Sequence, residues 1–196
     1  MKSAVAFGYR AHSGWAVAIA VGGSRRAPDV FARRRIELIS AATPSQPYHA
    51  AEGLSLKAAE RLIQRSEATA ERLASKAIAK MIEEQRSASH VVARCALLLS
   101  SSRPMPPLET TLASHALIHA AEGELFRAAL ARASEHAGLA VVGFRERDLI
   151  DEAQRRLRLG ADEIAARLTE FGREFGPPWT QDEKRATLAA WLTLRA

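Results

Sequence analysis

The residues with the most chemistry per position are histidines and glutamates in a repeated pentapeptide. HAAEG occurs as His49–Gly53 and again as His119–Gly123. The likeness runs on, because HAAEGLSLKAA and HAAEGELFRAA also share a large apolar residue, a base and two alanines. On a helix, a His and a Glu three apart share a face, so each copy offers an imidazole beside a carboxylate. In the second copy His115 comes one turn earlier, and His115, His119 and Glu122 form a single stripe. An imidazole with a carboxylate partner can act as a general base with its orienting group. The same stripe suits a transition metal. It also suits helix packing, since Ala50, Ala51, Ala120 and Ala121 admit a close neighbour. A mid-helix glycine costs about 1 kcal/mol against alanine, so Gly53 and Gly123 each call for a packing or functional reason. The catalytic candidates are His49, Glu52, His119 and Glu122, joined by His12 from a turn near the start of the chain. No metal and no cofactor is expected.

Charge adds a second set. Lys and Arg number 28 against 22 acids, a formal net charge of +6. Arginines gather at Arg25-Arg26, at Arg33-Arg34-Arg35 and at Arg155-Arg156-Arg158. Such a surface favours nucleic acid or a phosphorylated ligand as partner, with Arg10, Arg33 and Arg35 as the ligand-binding candidates. Along most of the chain arginines alternate with acids, which also describes a solvated surface without a partner.

The elements that must position these groups follow from composition and periodicity. The chain has 196 residues, 47% hydrophobic and 26% charged, enough for a real core. The lone cysteine, Cys95, lies in the apolar run Val91–Leu99. It reads as a buried, inert thiol in a reducing, cytoplasmic setting. Tyr9–Ser13 divides the apolar residues near the start, so neither a signal peptide nor a membrane span is expected.

Ser3–Tyr9 and Trp15–Val21 read as strands around the turn Arg10–Gly14. Val30–Ile39 reads as a third strand, with Val30, Ala32, Ile36 and Leu38 on one buried face. Leu54–Arg86 is a long amphipathic helix, and Val91–Leu99 a strand buried on both sides. Ser100–Pro107 reads as a loop, Glu109–His136 as a helix ended by Gly138, and Leu139–Phe144 as a strand. Helices over Arg147–Leu159 and Ala161–Gly172 follow, then a last one capped by Thr180 and running to Ala196.

Three antiparallel strands followed by alternating helix and strand resemble the ribonuclease H-like fold. So does the hairpin Gly8-Tyr9-Arg10-Ala11-His12-Ser13-Gly14-Trp15-Ala16-Val17, which is similar to the first hairpin of Holliday-junction resolvases. The resemblance implies an α/β domain over residues 1–159 with a mixed five-stranded sheet. Residues 160–196 would form a C-terminal helical extension packed on it. It also implies two divalent metals held by acids on the first strand, at the end of the fourth and on helices. Phe7-Gly8-Tyr9-Arg10 holds no acid, and neither does Ser100-Ser101-Ser102; only Asp148 and Asp151 stand near a late helix. The expectation is therefore a nuclease-inactive protein that binds nucleic acid or a phosphorylated ligand. Two other readings stay open. One is a hydrolase or other acid–base enzyme built on the His/Glu pairs. The other is an interaction module or homodimer built on alanine-rich helices.

Overall fold

The computed structural model describes residues 3–100 and 104–194. Ser101, Ser102 and Arg103 of the expected loop, and Arg195 and Ala196 of the expected last helix, lie outside them.

Three strands open the chain: β1 (Ala4–His12), β2 (Trp15–Gly23) and β3 (Pro28–Glu37). They pair antiparallel as a meander. The turn between β1 and β2 is tighter than the expected pentapeptide. His12 pairs with Trp15, which leaves Ser13-Gly14 as the whole turn, with Gly14 at φ 85°. Arg10 and His12 are therefore strand residues, and strand alternation assigns them a face. The pairing of β3 with β2 shifts register opposite Ala20 and Val21, where Phe31 of β3 is left without a partner. This bulge overturns the expected single buried face. Ala32 and Ile36 pack into one core and Val30 into the other.

The helices and remaining strands follow in the order α1 (Pro47–Ala51), α2 (Leu56–Ser87), β4 (Val91–Leu99), α3 (Leu108–Leu112), α4 (His115–His136) and β5 (Ala140–Arg145). A short 3-10 turn then leads to α5 (Leu149–Leu157), α6 (Ala161–Phe175) and α7 (Gln181–Thr193). β4 pairs parallel with β1, and β5 parallel with β4, giving the order β3-β2-β1-β4-β5. Only Cys95–Leu98 of β4 are buried on both sides, because β5 starts pairing at Arg94 and leaves the earlier residues open. The helix expected over Glu109–His136 breaks at Ala113-Ser114, and Ser114 stands before α4 as its N-cap residue.

The sheet divides the core in two. Phe7, Tyr9, Ile78, Phe126 and Leu130 fill the layer under α2 and α4. Ile19, Leu98, Ile164 and Trp191 fill the layer under α5, α6 and α7. Each is fully buried, and such a side chain contributes about 1.5–3 kcal/mol. Helix α7 lies against β1, β2 and β4. Gly8 makes that approach feasible, since a Cβ there would stand 1.9 Å from the carbonyl oxygen of Ala186. Among the described residues no helix is long and apolar enough to cross a membrane.

Candidate functional site

The two copies of HAAEG meet, although they fold differently. In the first, His49 lies in α1, while Glu52 is its exposed C-cap, with no side-chain ion pair among the described residues. Gly53 sits in the following turn at φ 75°, a left-handed conformation that favours glycine. In the second copy all five residues are inside α4. Gly123 there lies under the guanidinium of Arg127, 2.7 Å from where a Cβ would be. One glycine answers a turn and the other a close contact.

The join is made by Glu122. Its Oε1 accepts the backbone N–H groups of Tyr48 and His49 at 2.8 and 3.0 Å and lies 3.2 Å from His49 Nδ1. An oxygen already accepting two N–H bonds is the acceptor for a third. Nδ1 of His49 is thus the protonated nitrogen, and the Nε2 lone pair is free. Glu122 is 2% exposed, and burial pushes its carboxyl above the usual range, opposed by its bonds to His49 and Tyr48. Its Oε2 is buried without a hydrogen-bond partner among the described residues.

His115 and His119, one turn apart on α4, approach at Nε2 to Nε2, 3.0 Å. Ring centroids of His49 lie 5.5 Å from His115 and 4.7 Å from His119, both edge-on. One nitrogen from each of the three lies within 4.8 Å of the others. The neighbourhood is acidic. Burial and the charges of Glu67, Glu122 and Glu124 push the phenol of Tyr48 up to about 12.

His12 does not join this cluster. Phe7, Tyr9 and Ala11 face α2 and α4, so Arg10 and His12 face α7. His12 Nε2 is 2.9 Å from Asp182 Oδ2, at the start of α7, and the ring stacks on Trp15 with centroids 4.2 Å apart. Arg10 reaches Glu146 at 3.2 Å and Asp182 at 3.7 Å. Arg185 also bonds Glu146. Nothing in the sequence marks Asp182 or Glu146, because the packing of α7 on β1 brings them to Arg10. Asp148, one of the two acids noted near a late helix, pairs instead with Arg145 at 2.6 Å.

A search of solved structures finds the Thermus thermophilus RuvC structure at TM-score 0.54 and 11% identity, covering 96% of this chain and 92% of that one. RuvC of the same organism in complex with a Holliday junction substrate matches at TM-score 0.55 and 11% identity, covering 96% and 90%. No protein-family model matches the chain, and no curated protein matches it by sequence.

The fold is ribonuclease H-like.

On this ribonuclease H-like sheet, the two other arginines expected to bind ligand are engaged by groups of the protein itself, although Arg35 stays exposed. Arg33 donates to the carbonyls of Gly176 and Pro177 at 2.8 and 2.9 Å and also bonds Pro178. Arg35 lies 3.8 Å over the Trp15 ring and pairs with Glu37 at 2.5 Å. A different arginine set converges at the opposite end of the sheet. Arg25 and Arg26, between β2 and β3, meet Arg156 and Arg158 at the end of α5 and Arg167 of α6 around a groove of about 820 Å³. Arg156 and Arg167 pair with Glu152 and Glu170. Arg25, Arg26 and Arg158 have no ion-pair partner among the described residues. Arg158 is the C-cap of α5 at φ 58°, a position where glycine is usual. The arginine groups stand out in the sequence, but their meeting does not, since it depends on α5 running back along the sheet.

Proposed function

We propose that this protein binds nucleic acid through the arginine groove and does not cleave it. The observation that carries the reading is the convergence of Arg25, Arg26 and Arg158, none in an ion pair among the described residues, beside Arg156 and Arg167, with Glu163 the one acid lining the groove. Phosphates along a backbone give such a set repeated partners, and each contact releases counterions. A planar guanidinium suits phosphate by bidentate hydrogen bonding. The solved complex of RuvC with a Holliday junction substrate supports a nucleic-acid partner for this fold.

The absence of cleavage rests on the other end of β1. Two-metal hydrolysis needs a cluster of carboxylates free to hold cations. Glu146 and Asp182 stand there, but the guanidinium of Arg10 lies between them and Arg185 adds a second positive charge. A dication would have to displace fixed cations to bind.

Fluorescence anisotropy with duplex, single-stranded and four-way-junction oligonucleotides over a range of KCl tests the reading. The expected log–log slope is about −3 to −5, set by the arginines of the groove. The double variant Arg26→Ala with Arg158→Asn should bind more weakly and reduce that slope by about 2. Binding that is absent, or indifferent to salt, overturns the proposal. So does magnesium- or manganese-dependent cleavage of any of the probes, for the second half of it.

A further inference from the structure

We propose that His49, His115 and His119 bind a divalent transition-metal ion through three imidazole nitrogens, with Glu122 fixing the ring of His49. Helix packing explains only part of this cluster. His115 and His119 are both exposed, so neither ring is held in place by a core. Yet they stand one turn apart on α4 and meet a third imidazole delivered by a separate helix.

The chemistry of the donor set fits. In a tetrahedral zinc site with Zn–N of about 2.0–2.1 Å, nitrogen ligands are roughly 3.3 Å apart. The three nitrogens already lie within 4.8 Å of one another, and the closest pair at 3.0 Å. Small rotations of two exposed rings close the remainder. The carboxylate of Glu122 on His49 Nδ1 leaves Nε2 as the ligand atom. A metal-bound histidine commonly has such a carboxylate on its other ring nitrogen. Three protein ligands leave a fourth position on the solvent side, which is the pattern of an open site rather than a closed structural one. Imidazole donors select zinc, cobalt, nickel or copper over magnesium and calcium.

The test uses the full chain after chelator treatment. Zinc(II) is titrated in competition with a chromophoric indicator, and cobalt(II) is followed by its visible d–d bands. The expected result is one ion per chain, micromolar or tighter, with four-coordinate cobalt bands. His49→Ala and His119→Ala should each weaken zinc by about 100-fold or more, and Glu122→Gln by about 10- to 100-fold. Zinc should raise the melting temperature of the unaltered chain and not that of His119→Ala. His115→Ala changes an exposed residue, so it repeats the test where a buried variant fails to fold. Absence of stoichiometric binding at tens of micromolar zinc overturns the proposal. So does a His49→Ala chain that binds as tightly as the parent, because the site would then be no more than a helical chelate of His115 and His119.

Discussion

Cys95 is fully buried in β4. Burial pushes its thiol up to about 11. An unfolded chain loses that proton near 9.0. The folded state holds it more tightly, so this contribution is complete below the unfolded value and declines as pH rises towards 11. Roughly 2–3 kcal/mol of stability is expected to go across that window. Urea denaturation at pH 8 and at pH 10.5 measures it. The parent chain should lose more stability between those two conditions than Cys95→Ala does. The two glycines of the repeat make a second test at this scale. Gly53→Ala meets no neighbour but must adopt φ 75°, at a cost of about 1–2 kcal/mol. Gly123→Ala meets only the movable end of Arg127 and gains helix propensity. Its cost should stay under about 1 kcal/mol, read by the same denaturation. From the letters alone HAAEG reads as one demand made twice. His49, His115, His119 and Glu122 were legible as chemistry. That Glu122 serves His49 rather than His119 was not, because Tyr48 and His49 hold its carboxylate by backbone N–H groups, which no side-chain pattern encodes.

Among the elements, the meander and the alternation of helix and strand were plain from apolar periodicity. The departures have local causes. A bulge at Phe31, opposite Ala20 and Val21, turns Val30 to the other core. Ser13-Gly14 makes a turn short enough to carry His12 into β1, away from the other histidines. Arg158 takes the left-handed C-cap, while Gly160 serves as N-cap of α6. The contact of α7 with β1 yields a direct prediction. Alanine at Gly8 would put a methyl 1.9 Å from the Ala186 carbonyl oxygen, and that neighbour is backbone, unable to swing away. Gly8→Ala should cost about 3 kcal/mol in urea denaturation. It should also loosen the start of α7, seen as faster amide exchange over Asp182–Ala186. A loss under 1 kcal/mol would mean that α7 shifts outward without resistance.

At the scale of the molecule, the three-histidine cluster and the arginine groove lie at opposite ends of the sheet and on opposite layers. No residue is shared between them. Sites so placed act independently to within about 0.3–0.5 kcal/mol. Saturating zinc should therefore change oligonucleotide affinity by less than about twofold in the anisotropy assay. A larger change would reveal a coupled rearrangement of the sheet. The seating of α7 also bears on how the chain comes into being. Val17, Ile19, Val21 and Leu98 are covered by α5, α6 and α7, which are all made after the sheet is complete, α7 the last of the three. While the chain is still being synthesised, one face of a finished sheet stands bare to solvent until the residues of α7 leave the ribosome. Polypeptides stalled or cut before Gln181 should therefore be the ones that aggregate or are captured by chaperones.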